Sequence, residues 1–181
     1  GARAGTVAVL PVFGSISKRD SGWSMLLGGT STTRLVAMLR QLASDDTTAT
    51  ILLNVDSPGG TASGLPELAQ VIRETAAVKN VVAISNDLAA SAAYWIASQA
   101  DEIVATPESI TGSVGVFTEH FDLSGLLEAH GIAQTYIQAG QYKTEGNPFE
   151  PLGDEAKAHV QGIVDNVYSL FLSDVAKGRS R

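Results

Sequence analysis

Short apolar runs alternate with segments of helical period along most of this chain. That alternation restricts the fold to a sheet threaded by helical crossovers. Residues 6–12 hold Val7, Val9, Leu10 and Val12, and residues 50–55, 80–85 and 101–105 are runs of the same kind. Such lengths and compositions suit buried strands. Between them Leu35, Met38, Leu39 and Leu42 recur at helical spacing behind a Ser31 or Thr32 cap, and Leu65, Leu68, Val71 and Ile72 mark a second helix. Residues 89–98 read as a short helix of small residues, 123–130 as a helix, and 115–117 and 132–137 as further strands. Residues 154–177 read as a long amphipathic helix striped by Val160, Ile163, Val164, Val167, Leu170, Phe171 and Val175. Apolar strands joined by amphipathic crossovers imply an α/β fold: a mostly parallel sheet with flanking helices. No repeat or linker interrupts residues 1–181, which read as a single domain. The Gly/Ser-rich stretch 14–33, carrying Trp23, Met25, Leu26 and Leu27, reads as an irregular loop that packs on a partner or covers a site.

Composition removes several function classes. The chain is 44% hydrophobic and 17% charged, the balance of a globular protein rather than a disordered one. Its net charge of -7, with no basic stripe, argues against a nucleic-acid partner. There is no cysteine, so disulfides and thiol catalysis are excluded. No apolar run reaches the length of a membrane span. The start lacks both a methionine and a signal-peptide core, and the termini are read as cut or processing boundaries.

Open parallel sheets bind ligands at the carboxyl ends of their strands, and three strings fall at such ends. Asp56-Ser57-Pro58-Gly59-Gly60 reads as a turn whose bared N–H groups can hold an oxyanion, or equally as an ordinary strand-to-helix turn. Leu88-Ala89-Ala90-Ser91-Ala92-Ala93-Tyr94-Trp95 places a serine among small residues at a helix start. Ser91 is then a nucleophile, with the Ala92 N–H as a second oxyanion donor, or simply a helix cap. Gly140-Gln141-Tyr142-Lys143-Thr144-Glu145-Gly146 carries one lysine among aromatic and glycine residues. Burial disfavours a charged amine and allows it to act as a base; the alternative is a surface lysine.

Taken in order, Asp-Ser-Pro-Gly-Gly, Ala-Ser-Ala-Ala-Tyr, Thr111-Gly112-Ser113-Val114-Gly115-Val116 and Gly-Gln-Tyr-Lys resemble the signal peptide peptidase A family of serine peptidases. The resemblance runs from Val7 to the final helix. It implies a ClpP/crotonase-like fold and a Ser-Lys dyad. By that resemblance Ser91 is the nucleophile, Lys143 the general base, and Ser113 hydrogen-bonds the lysine amine. Gly59, Gly60 and Ala92 supply the oxyanion hole, and Ser57, Pro58 and Tyr94 contact the substrate. Ala92 and Ala93 replace two glycines of the family's nucleophile string, which keeps the residues there small. Gly146-Asn147-Pro148-Phe149-Glu150-Pro151-Leu152 resembles the phage branch, whose members are prohead, or capsid-maturation, proteases.

The resemblance implies a peptide or protein substrate (scaffold or capsid proteins in a phage), a homo-oligomer, no cofactor and no metal. It implies a place in the host cytoplasm or prohead interior, or at a membrane if flanking sequence carries an anchor. A bacterial enzyme degrading residual signal peptides, a crotonase-type acyl-CoA enzyme and a non-catalytic capsid-assembly scaffold are the rival readings. His120, His130 and His159 are the only histidines, and none is placed by the resemblance to serve Ser91. Neither a His-x-x-x-His pair nor a Gly-rich phosphate loop ending in Gly-Lys occurs.

Overall fold

The computed structural model describes residues 5–20 and 28–180. The apolar run 23–27 lies outside the described residues, so the role expected for it has no structural counterpart. Contacts divide the chain into two compact units: residues 1–115 with 168–181, and residues 116–167.

The first unit is built on a parallel sheet. Strand β1 (Thr6–Ser17) pairs with β2 (Thr30–Ser31) and β3 (Thr48–Gly60). Strand β4 (Asn80–Ala90) pairs with β3 and, on its other edge, first with β5 (Glu102–Ala105) and then with β6 (Ile110–Gly112). Every pairing is parallel, as the alternating pattern requires. Helices α1 (Thr32–Ser44), α2 (Leu65–Ala76) and α3 (Ala92–Ala97) are the crossovers. Ser31 caps α1, its hydroxyl accepting from the Arg34 N–H.

The core lies between the helices and one face of the sheet. Leu10, Val12, Ile51, Leu53, Val55, Val81 and Ala83 from the strands, and Leu35, Leu39, Leu68, Ile72, Trp95 and Ile96 from the helices, are all buried. The run 6–12 is not buried on both faces, however. Val7 and Val9 are 59% and 54% exposed, because successive strand residues point to opposite sides of the sheet.

Several elements extend or replace those expected. β3 continues through Asp56-Ser57-Pro58-Gly59-Gly60, read from sequence as a turn. Gly59, at φ 102°, and Gly60 pair with Ser15 and Ile16 of β1. Pro58, which has no N–H to offer a ladder, falls in the register shift between those pairs and Phe13↔Asp56. β4 likewise runs five residues past 85, because β3 and β6 offer it partners at Ala89. The strand expected at 115–117 is absent, and 110–112 pairs instead, where the edge of β4 is open.

The second unit holds α4 (Ser124–Ala129) and most of α5 (Asp154–Arg179). Residues 132–137, expected as a strand, have none of its pairing; Ile132 is 56% exposed and Ile137 fully exposed. A strand pattern becomes a strand only against a partner edge. Of the stripe expected on α5, only Phe171 is buried, while Ile163 and Leu170 are exposed. No described helix is long and apolar enough to cross a membrane.

Thr30 closes the irregularity in β1. Its hydroxyl donates to the Phe13 carbonyl and accepts from the Phe13 N–H, both at 2.8 Å, and the residue is buried. Thr30→Val keeps the shape and removes both bonds. Stability in urea denaturation should fall by about 1–3 kcal/mol, the usual cost of orphaned buried polar groups.

Candidate active site

Ser91 stands between β4 and α3. Ala90 ends the strand, Ala92 starts the helix, and Ser91 makes the corner with φ 53° and ψ -120°. Few side chains tolerate that conformation. The helix-cap reading of this serine fails, since its hydroxyl makes no capping hydrogen bond. A serine on a strained strand-to-helix corner is how one large class of hydrolases presents its nucleophile.

Two backbone bonds hold the corner. The Ser91 N–H donates to the Gly112 carbonyl at 2.8 Å, and the Ser91 carbonyl accepts from the Trp95 N–H at 2.9 Å. Gly112 lies at the end of β6, and Ser113 follows with φ 54°. Among the described residues Ser91 and Ser113 are the only non-glycine residues with positive φ. Strain of this kind gathers at functional sites. Ser113 is exposed and Ser91 half-buried.

β6 is itself fastened to β4 by side chains that the sequence reading did not single out. The buried Ser85 hydroxyl meets that of Ser109 at 2.5 Å. Thr106 donates its N–H to the Ser85 carbonyl at 3.1 Å and its hydroxyl to the Asn86 carbonyl at 2.7 Å. The segment 106–109 thereby resumes the edge of β4 in the register that brings Gly112 to Ser91. Short polar residues ahead of a strand are too common a pattern to have marked this role.

The two glycines of the Asp-Ser-Pro-Gly-Gly string have different surroundings. A Cβ on Gly59 would lie 2.8 Å from the Ser91 Cβ and 3.0 Å from the Ala92 nitrogen, so only glycine lets β3 approach the corner this closely. The Gly59 N–H, expected as an oxyanion donor, is instead taken by the Ser57 hydroxyl at 3.1 Å. Ser57 is fully buried and also donates to the Gly14 carbonyl at 2.6 Å. The Ser57 hydroxyl thus donates one bond and accepts one, and it braces the strand. The Thr61 N–H bonds the Ile16 carbonyl of β1 at 2.9 Å. N–H groups of successive extended residues face opposite edges, so that of Gly60 turns away from β1. The ladder to β4 ends at Ser57↔Ala89, which leaves this edge of β3 open beyond it. Pro58 is exposed, Tyr94 half-buried and Ala92 buried.

Lys143 lies in the second unit. Its loop is tied down on both sides. The Tyr142 hydroxyl donates to Glu155 at 2.9 Å, and that of Thr144 to the Gln138 side chain at 2.7 Å. The bond to Glu155 raises the Tyr142 pKa, with partial burial adding to it. Asn147 is the hub: its side chain accepts from the Tyr136 hydroxyl and the Phe149 N–H, both at 2.8 Å, and donates to the Thr144 carbonyl at 2.8 Å. Partial burial, and next the charge of Glu150, raise the Tyr136 pKa. Lys143 itself is exposed, contrary to the burial that the sequence reading requires of a base. The turns of this loop anchor its neighbours and leave its own side chain in solvent.

The histidines belong to local structure. His120 contacts the Glu150 carbonyl at 3.3 Å, His130 contacts the Leu126 carbonyl at 2.8 Å at the end of α4, and His159 is exposed. Among the described residues no group of three or more His, Cys, Asp or Glu is arranged to hold a metal ion.

Comparison with known proteins places this architecture. The chain is 34% identical over 170 residues to the capsid assembly protease C of Escherichia phage lambda, a match covering 94% of this chain and 39% of that protein. It is 36% identical over 170 residues to the head-tail preconnector protein GP5 of Enterobacteria phage P21, covering 94% and 34%. It is 33% identical over 149 residues to a putative signal peptide peptidase SppA of Enterococcus faecium, covering 80% and 42%. The chain therefore spans between 34% and 42% of the length of these relatives. The family model for peptidase family S49 matches residues 73–181, a stretch that holds both the Ser91 corner and the Lys143 loop, and the chain belongs to that family.

Proposed function

We propose that this chain is the catalytic part of a serine endopeptidase. The observation that carries the reading is Ser91 itself: an uncapped serine at a strained strand-to-helix corner, pinned by Gly112 and approached by Gly59. Its hydroxyl attacks a peptide carbonyl. The N–H groups of Ala92 and Gly60 receive the oxyanion, since that of Gly59 is engaged by Ser57. Lys143 takes the serine proton and returns it to the leaving amine, and water then hydrolyses the acyl-enzyme. Ser113 orients the lysine amine. The substrate lies extended along the edge of β3 that β4 leaves open, with Pro58 and Tyr94 beside it.

Its proteins of choice, in this reading, are scaffold and capsid proteins, and its place is the host cytoplasm or prohead interior. Two phage relatives matched over 94% of the chain support this. The SppA relative, matched over 80%, supports a second reading as an enzyme of residual signal peptides. The exposed apolar residues Val7, Val9 and Phe13 support a homo-oligomer. Incubation with head proteins encoded by the same genome should give a few defined fragments in mass spectrometry. Cleavage confined to apolar leader peptides would favour the second reading.

A fluorophosphonate probe should label the wild type at Ser91, and Ser91→Ala should abolish both labelling and cleavage. Lys143→Ala should lower kcat about a hundred- to ten-thousand-fold with the fold intact by circular dichroism, the usual worth of a general base. Full activity in Lys143→Ala would remove the dyad.

Strain at the corner has its own signature. Glycine adopts the backbone of Ser91 freely and alanine does not. Ser91→Gly should therefore be more stable than Ser91→Ala by about 1 kcal/mol in thermal or urea unfolding, both being inactive. The reverse order would show that the corner is unstrained.

A further inference from the structure

The end of α5 carries a buried carboxylate that the proposed chemistry does not use. Asp174 is 5% exposed and accepts the Trp95 indole N–H at 3.0 Å. Its other oxygen faces Arg73 of α2 at 3.2 Å and Lys177 at 3.7 Å. The ring of Trp95 stacks on Phe171, centroids 4.4 Å apart and planes 6° from parallel. Gln99 donates to the Asp174 carbonyl at 3.1 Å and receives Arg73 on its side-chain oxygen. Arg179 donates to the carbonyls of Ser98 and Ala100, closing the end of α3.

A buried ion is costly to keep unless its partners are well placed, so its presence needs a reason. The geometry of Trp95 supplies one. While its indole is held by Asp174 and Phe171, its backbone N–H holds the Ser91 carbonyl at 2.9 Å. That carbonyl and the Ala92 N–H belong to one peptide plane, and a peptide plane turns as a rigid body. Whatever fixes Trp95 therefore fixes the direction of the Ala92 N–H.

We propose that Asp174, with Phe171, is a positioning residue for the oxyanion site, acting through Trp95 on the Ser91–Ala92 peptide. The inference rests on Ser91 being the nucleophile. Its role is to keep one donor aimed at the charge that develops in the transition state, where aim rather than presence sets the rate.

The test compares Trp95→Phe, which keeps the ring stack and removes the N–H, with Asp174→Asn and Asp174→Ala. Each is assayed for kcat and KM on a peptide, and for Ki of a peptidyl boronate, whose tetrahedral oxygen occupies the oxyanion site. The expected result is a fall in kcat of about tenfold and a parallel rise in Ki, with KM unchanged; a misaimed donor costs less than a deleted one, which is worth about a hundredfold or more. Asp174→Asn, which keeps an acceptor for the indole, should be closer to wild type than Asp174→Ala. A merely structural role would lower the melting temperature and leave kcat and Ki unmoved below it. Trp95→Phe, the mildest change, keeps the test open if Asp174→Ala does not fold. Ser91→Ala, run alongside, separates the two layers of the argument. Cleavage surviving in Ser91→Ala removes the nucleophile and this proposal with it. Cleavage lost there, with wild-type kcat and Ki in folded Trp95→Phe and Asp174→Asn, overturns the role of Asp174 alone.

Discussion

The hydrogen bond from the Ser91 N–H to the Gly112 carbonyl is the constraint on which the site depends. Without it the chain leaving β4 has no reason to hold a positive φ at a serine. The bond exists because β4 is paired along one edge twice, first by β5 and then by β6, with residues 106–109 bridging the break. That bridge is a small polar device, Ser85 to Ser109 and Thr106 to the backbone at 85 and 86. Parallel pairing carries the register onward to the corner, so a side-chain contact six residues upstream decides where Ser91 stands.

A second fastening acts from the opposite end of the short helix α3. Six residues make too short a helix to be stable alone. Its far end is held by Arg179, its middle by the Trp95 stack on Phe171 and the bond to Asp174, and its start by the Ser91 carbonyl. Long-range partners replace the length that α3 lacks. Backbone strain at Ser91 is tolerated because the structure on both sides of it over-determines its conformation.

Much of the fold was legible because the two periods of the chain are strong. The helices at 32–44 and 65–76 and the strands at 6–12, 50–55, 80–85 and 101–105 stand where apolar spacing puts them. The failures share one cause. Residues 132–137 and 115–117 have strand-like composition and no strand pairing, while 56–60 have turn-like composition and belong to β3. Pairing with a neighbouring edge is a tertiary event: it carries β3 past Pro58, which sits in a register shift, and Gly59, which keeps a positive φ. On α5 the stripe marked Phe171 correctly but missed Asp174, which is buried against Arg73 of α2 and Trp95 of α3 through no apolar pattern of α5 itself.

The sequence by itself determined the order of the chemical strings, the smallness of the residues around Ser91 and the alternation that makes a parallel sheet. Side-chain type and spacing are local properties, and they survive being read one residue at a time. Only the tertiary structure decided that Gly59 gives its N–H to Ser57 while Gly60 faces an open edge, that Lys143 is exposed, and that Asp174 reaches Trp95 of α3. Each of these depends on which groups meet across large separations in the chain. Hydrogen-bond direction and burial are set by those meetings, and no pattern along the chain encodes them singly.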